Sequence, residues 1–142
     1  IDVVATVHAP HLLEEKVGGA LKAVSGMPMV QFSLVSMLEL ANEGVLTVEK
    51  VVELMSHNPA RLFRIDRRGF VRKGYYADLV LVDPKAAWTV SDSCCLSKCG
   101  WTPMSGKSFS WAVERTFVNG QTVYANGRVN DEVRGMELRF NA

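Results

Sequence analysis

The sequence predicts an α/β portion followed by a β portion, and three patterns support this prediction. Residues 1–6 are apolar without polar alternation at their centre, which is typical of a strand covered on both faces, as in a parallel sheet. Residues 29–43 are apolar on all but a narrow stripe, which predicts a mostly buried helix. From Gly69 onward, short apolar runs alternate with turn residues, which predicts strands.

The composition is that of a globular protein. Of the 142 residues, 48% are hydrophobic and 22% are charged, and 16 basic against 15 acidic residues leave a net charge of +1. This balance gives no overall field toward nucleic acid or an anionic membrane. No apolar stretch reaches the roughly 20 residues of a bilayer crossing, so we expect a cytoplasmic protein. Because residues 1–6 resemble a strand already under way, without a leading Met, we also expect the chain to be part of a longer one.

Two more helices are predicted after the first. Thr47 suits the cap of a helix over residues 48–55, whose valines recur at helical spacing. Asn58 followed by Pro59 predicts the cap and first turn of a short third helix over residues 60–63.

The second half of the chain contains a strand and a hairpin. Residues 77–84 form an apolar run bounded by turn residues, which predicts a strand. Residues 115–124 predict a hairpin around Asn119 and Gly120, because both central residues of the favoured two-residue turn need positive φ.

Two histidines, His8 and His11, follow the first predicted strand. Active sites of parallel sheets gather at the carboxyl ends of the strands. The two imidazoles could therefore bind a metal or an anionic group, or they could simply bind backbone at the strand end, and their spacing leaves both readings open. Residues 12–28 then predict a loop longer than most, which favours a functional or mobile segment.

Other sequence features point away from chemistry. Cys94, Cys95 and Cys99 lack the paired spacing of a zinc knuckle, and an odd number of cysteines favours a reducing compartment. Six basic residues lie within residues 61–73, and with so few aromatic residues among them they predict a solvated junction rather than a nucleic-acid surface. The sequence contains no phosphate loop and no Gly-x-Ser-x-Gly elbow.

Three segments resemble the dihydroorotases of the cyclic amidohydrolase superfamily. Residues 6–11 (Thr-Val-His-Ala-Pro-His) resemble the Thr-Asp-His-Ala-Pro-His motif that separates dihydroorotases from dihydropyrimidinases and allantoinases. Residues 58–83 are similar to the carboxyl-terminal signature of the superfamily. Residues 118–127 are similar to its last hairpin, Val-x-Gly-x-x-Val-Tyr-x-x-Gly.

The resemblance implies the carboxyl-terminal part of a metal-dependent hydrolase. Residues 1–66 would supply the last strand and closing helices of a distorted (β/α)8 barrel, and residues 67–142 would supply part of a small β-sandwich. The implied reaction is the reversible hydrolysis of dihydroorotate to carbamoyl-aspartate in pyrimidine synthesis. Family members bind one or two metal ions, commonly zinc, through histidines and a carboxylated lysine on earlier barrel strands. We therefore expect no metal ligand and no bound zinc in this chain.

One position departs from the family motif. The aspartate that contacts the metal and moves the proton in family members is Val7 here. A valine has no lone pair and no titrating proton, and loss of a general base typically costs a factor of about 10² to 10⁴. The sequence therefore predicts no intact catalytic residue, and no turnover by this chain alone.

The resemblance also assigns substrate contacts. His11 matches the family histidine that contacts the substrate carboxylate, and Ser25 and Gly26 lie where family members place backbone groups against the substrate. We expect a small-molecule substrate, no nucleic-acid or membrane partner, and a homo-oligomer, because unpaired strand edges favour self-association.

Two alternatives remain open. The enzyme could act on another cyclic amide, as dihydropyrimidinases, hydantoinases and allantoinases do. The chain could also belong to a non-catalytic homologue that is a structural partner of another enzyme, for example a transcarbamoylase, and Val7 favours that reading.

Overall fold

The computed structural model describes residues 1–141. In chain order, it contains helices α1 (Ser33–Asn42), α2 (Val48–Val52) and α3 (Asn58–Leu62), then strands β1 (Leu79–Asp83), β2 (Trp88–Thr89), β3 (Ser108–Phe109), β4 (Ala112–Val118), β5 (Gln121–Ala125) and β6 (Arg128–Val129). The three α-helices therefore precede the strands, and two further 3₁₀ helices lie at Leu13–Lys16 and Asp92–Cys94.

The predicted first strand does not form a ladder. Residues 1–6 are not part of any strand, and their backbone bonds to the helical region instead. The Val4 N–H donates to the Leu54 carbonyl at 3.1 Å, and the Asp2 carbonyl accepts from the Asn58 side chain at 2.7 Å. The predicted strand is not formed in this structure, because a ladder needs a neighbouring strand and none lies beside this segment within residues 1–141.

The first helix confirms its prediction closely. A 3₁₀ turn at Val30–Phe32 leads into α1, and the two bury Phe32, Val35 and Leu38. Gly44 follows the end of α1 with φ of 76°, the left-handed conformation that commonly ends helices.

The second and third helices are continuous, which corrects the prediction of a break at Asn58. Thr47 caps α2 as predicted, and its side chain accepts from the Lys50 N–H at 3.1 Å. A π-helical turn at Glu53–His57 then joins α2 directly to α3. Asn58 has helical angles (φ −69°, ψ −41°), and its N–H donates to the Glu53 carbonyl five residues earlier. The wider π turn accommodates Pro59, whose ring would otherwise clash with the carbonyl one turn before it.

The strands form a four-stranded antiparallel sheet of order β1-β4-β5-β6 and a two-stranded sheet of β2 and β3. The predicted hairpin is confirmed, since β4 and β5 pair around Asn119 (φ 52°) and Gly120 (φ 78°). Asn126 and Gly127 form a second turn of the same kind between β5 and β6.

The main core joins the helices to the two-stranded sheet. Phe32 and Val35 from the helical region pack with Val90 and Phe109, and Trp88 lies partly buried against them. The Trp88 ring stacks on the Phe32 ring, with 6.5 Å between their centroids, and lies tilted to the Phe109 ring, with 5.7 Å between their centroids. This contact fixes the turn before α1 against the two-stranded sheet.

The basic segment is not wholly a solvated junction, which corrects its prediction. Arg68 is only 8% exposed. Its guanidinium forms an ion pair with Asp78 and donates to Asn119 Oδ1 at 2.8 Å, while the Asn119 N–H donates to Asp78 Oδ1 at 2.8 Å. Arg68 therefore connects the end of the helical region to the hairpin turn.

Gly69, next to this ion pair, must be a glycine. It has φ of 77°, and a Cβ atom there would lie 2.4 Å from the Ala60 Cβ and 2.7 Å from the Ser56 carbonyl oxygen.

No helix within residues 1–141 is long and apolar enough to cross a membrane.

Candidate functional site

The segment after residues 1–6 is held between two parts of the chain. His8 and Met27 form a parallel β-bridge, and the Ala9 N–H donates to the Met27 carbonyl at 3.1 Å. His8 Nδ1 accepts from the Val30 N–H at 3.3 Å, and His8 Nε2 lies 3.5 Å from Ser97 Oγ. Both ring nitrogens of His8 therefore have partners within the protein.

Val7, which the motif resemblance places at the family's aspartate position, is highly exposed. Its relative exposure is 85%. The side chain therefore contributes little to packing, and a polar side chain of similar size would fit here without burying a charge.

His11 is half-exposed and is fixed on two sides. Its Nδ1 lies 3.5 Å from Glu15 Oε2, and Glu15 Oε2 also accepts from the Leu12 N–H at 2.7 Å. The His11 carbonyl accepts from the Trp101 indole N–H at 2.8 Å. With Nδ1 directed at Glu15, Nε2 is the ring nitrogen left to bind a ligand.

The loop that carries Ser25 and Gly26 lies against the histidine segment. Lys16 Nζ donates to the Val24 carbonyl at 2.6 Å and to the Gly26 carbonyl at 2.5 Å. Gly26 has φ of 104°, and a Cβ atom there would lie 2.4 Å from the Ala9 Cβ. Only a glycine allows the two segments to approach this closely.

The structure thus brings the candidate substrate residues into one region without joining all of them directly. Ala9 contacts both Gly26 and Met27, which places the Ser25 loop beside the segment that leads to His11. Ser25 itself is exposed. Within residues 1–141, no hydrogen bond joins Ser25 to His11.

The residues described do not fit a metal centre. Within residues 1–141, no three His, Cys, Asp or Glu side chains converge as a metal site would need. Both nitrogens of His8 are engaged, and Val7 has no donor atom. Any metal of the family's kind would depend on ligands other than these.

Several residues of this region gave no sequence signal. Trp101 bonds to His11 across 90 positions of sequence. The Gln31 side chain donates to the Cys94 carbonyl at 2.7 Å and accepts from the Leu96 N–H at 2.8 Å, which holds the cysteine segment against the start of α1. Only Glu15, four residues after His11, has a spacing that could have predicted its contact.

Comparison with known proteins identifies the family to which the chain belongs. The family model described as "Amidohydrolase family" matches residues 8–123, and the chain belongs to this family. It is 35% identical over 138 residues to the dihydroorotase of Pyrococcus furiosus, an alignment that covers 97% of this chain and 32% of that protein. It is 40% identical over 124 residues to the dihydroorotase of Geobacter metallireducens, covering 87% of this chain and 29% of that protein.

Solved structures agree with the family. The fold is similar to that of an L-hydantoinase (dihydropyrimidinase) from Arthrobacter aurescens, with a TM-score of 0.87 and 32% identity over 92% of this chain and 30% of that one. A dihydropyrimidinase from Brevibacillus agri NCHU1002 shares the fold, with a TM-score of 0.85 and 23% identity over 91% of this chain and 29% of that one. The chain spans about a third of the length of these relatives.

Proposed function

We propose that the chain is the carboxyl-terminal portion of a dihydroorotase, in which His11 binds the substrate carboxylate. The observation that carries this proposal is the Thr6–His11 motif, held against Gly26 in a chain whose curated relatives are dihydroorotases. The substrate would be dihydroorotate or carbamoyl-aspartate, both of which carry carboxylate groups.

The geometry supports a binding role for His11. In its protonated form, the ring donates from Nδ1 to Glu15 and from Nε2 to an incoming carboxylate. The Trp101 bond fixes the backbone of His11, so little freedom is lost on binding. Ser25 and Gly26 would supply backbone groups to the same ligand, since Lys16 already holds their loop in place.

The proposal also assigns the two parts of the chain. Residues 1–66 would complete a (β/α)8 barrel as its last strand and closing helices, and residues 67–142 would form part of a β-sandwich. The remaining barrel strands would pair with residues 1–6, which lack ladder partners within residues 1–141. Zinc would be bound by the remaining barrel strands, because residues 1–141 do not fit a metal centre. We also propose a homo-oligomer, and a monodisperse monomer in sedimentation would contradict it.

Val7 limits what the site can do in the proton-transfer step. No carboxylate occupies the position from which the family's aspartate protonates the departing nitrogen. The functional consequence is a loss of about 10² to 10⁴ in turnover relative to an enzyme with aspartate there. A non-catalytic homologue is therefore a second candidate, and Val7 is the observation that favours it. A hydantoinase is a third, favoured by the 32% identical L-hydantoinase structure.

The test is Val7→Asp in the full-length protein, assayed with dihydroorotate, hydantoin, dihydrouracil and allantoin. We expect Val7→Asp to raise dihydroorotate hydrolysis by about 10²-fold or more. His11→Asn in the same background should raise KM for dihydroorotate far more than it lowers kcat.

Three outcomes separate the candidates. No gain on any ring would favour the non-catalytic homologue, and a larger gain on hydantoin would favour a hydantoinase. Measurable ring hydrolysis by the 142-residue chain alone would contradict the expectation that this chain lacks a complete catalytic site.

A further inference from the structure

The three cysteines of the segment between β2 and β3 face two different acceptors. The Cys94 thiol donates to the Ser91 carbonyl at 3.0 Å. The Cys95 and Cys99 thiols both point at the Trp101 carbonyl oxygen, at 3.1 Å and 3.6 Å. Both sulfur atoms therefore lie within 3.6 Å of the same oxygen atom, whereas Cys94 points elsewhere.

The backbone brings Cys95 and Cys99 together by a local turn. The Gly100 N–H donates to the Ser97 carbonyl at 3.0 Å, and Gly100 has φ of 69°, so the chain reverses between the two cysteines. All three thiols are free in this structure, and each cysteine is partly exposed. A small oxidant can therefore reach the pair.

The two thiols are in different environments. Burial raises the pKa of the Cys95 thiol, and the nearby Cys99 side chain raises it further. The raised pKa disfavours the Cys95 thiolate, so we assign the first attack to Cys99 and the second, resolving step to Cys95.

We propose that Cys95 and Cys99 form a reversible disulfide with glutathione disulfide as the oxidant. The Cys99 thiolate attacks one sulfur of glutathione disulfide, forms a mixed disulfide and releases one glutathione thiolate. The Cys95 thiolate then attacks the Cys99 sulfur and releases the second glutathione. Two protein thiols are oxidised, glutathione disulfide is reduced to two thiols, and the two protons pass to the released glutathione.

The disulfide would change the surroundings of the candidate site. Oxidation removes both S–H donors from the Trp101 carbonyl. The indole N–H of the same residue donates to the His11 carbonyl, and its ring centroid lies 5.9 Å from Lys16 Nζ. The redox state of the pair therefore acts on the loop that carries His11. An effect on substrate binding rests on the proposed function of His11, whereas the disulfide itself does not.

The experiment exploits Lys98, which lies between the two cysteines. The purified protein is incubated with glutathione disulfide under native conditions, its remaining thiols are alkylated, and it is digested with trypsin. Cleavage after Lys98 places Cys95 in the peptide of residues 86–98 and Cys99 in the peptide of residues 99–107. We expect mass spectrometry to find these two peptides joined, and to find them separate after treatment with dithiothreitol.

Single substitutions identify the partner of Cys99. In Cys94→Ser the joined peptides should persist, and in Cys95→Ser they should disappear. If Cys95→Ser does not fold, Cys94→Ser alone decides, because Cys95 is then the one thiol left in its peptide. Absence of joined peptides in the wild type or in Cys94→Ser overturns the proposal, and so does their persistence in Cys95→Ser.

A second measurement tests the coupling to His11. Hydrogen exchange in residues 11–17 should be faster in the oxidised protein than in the reduced protein, because the Trp101 contact is loosened. Equal exchange rates in the oxidised and reduced proteins would overturn the coupling. The disulfide itself is tested separately, by the joined peptides.

Discussion

Gly26 offers a quantitative test of how the two loops of the site are held together. Gly26→Ala adds a Cβ atom 2.4 Å from the Ala9 Cβ, and Ala9 cannot rotate away. It also forces an alanine to φ of 104°. The structure provides a matched control in Gly19, which has φ of 75° and open space around its Cβ position. Gly19→Ala therefore suffers backbone strain without the steric contact.

The two costs can be separated by comparing the variants. Backbone strain at these positive φ angles costs about 1–3 kcal/mol in each variant. The contact adds about 1–3 kcal/mol in Gly26→Ala, because overpacking must be relieved by moving backbone. The movement that relieves it opens the hydrogen bond from the Ala9 N–H to the Met27 carbonyl.

Hydrogen exchange of the Ala9 amide measures this opening. A difference of 1–3 kcal/mol corresponds to exchange that is about 5- to 150-fold faster in Gly26→Ala than in Gly19→Ala. Equal Ala9 exchange in the two variants would refute the close approach of the loops and, with it, the placement of Gly26 beside the histidine segment.

Two further predictions concern the contacts between helices and strands. The Ser110 N–H and hydroxyl bind Glu39 at 2.7 and 3.0 Å, and these bonds lower the pKa of Glu39. Their contribution to stability is therefore fully present above the ordinary pKa of a glutamate, about 4.3, and is lost as pH falls through the lowered pKa. Urea unfolding of the wild type should show this dependence, which should be reduced in Glu39→Gln and intact in Glu43→Gln. Asp78→Ala should cost about 3–5 kcal/mol of unfolding free energy because it leaves Arg68 buried without its partner, and adding Arg68→Met should recover part of that loss. A pH profile of Glu39→Gln that runs parallel to the wild-type profile would contradict the Glu39–Ser110 contact. A double variant no more stable than Asp78→Ala would contradict the Arg68–Asp78 ion pair.

Elements with strong local signals could be predicted from the sequence. Thr47 caps its helix because its hydroxyl is placed beside a nearby N–H, whatever the rest of the chain does. Asn119 and Gly120 form their turn because both accept positive φ. The helix from Ser33 follows from the spacing of its apolar residues.

Other features depend on which segments meet, and a local sequence pattern does not contain that information. Residues 1–6 have the composition of a buried strand, but their backbone bonds to Leu54 and Asn58 because no neighbouring strand lies beside them within residues 1–141. The sequence predicts that Arg68 is one more solvated basic residue. In the structure, Asp78 and Asn119 from the second half of the chain bind its guanidinium.

The candidate site shows the same division. The sequence by itself determines that position 7 lacks a proton carrier, because no fold can give valine a lone pair or a titrating proton. It also determines that a histidine is present at position 11. Only the tertiary structure decides what surrounds that histidine, because Trp101 reaches its carbonyl from 90 residues away through the packing of the two halves, and no local propensity encodes such a contact.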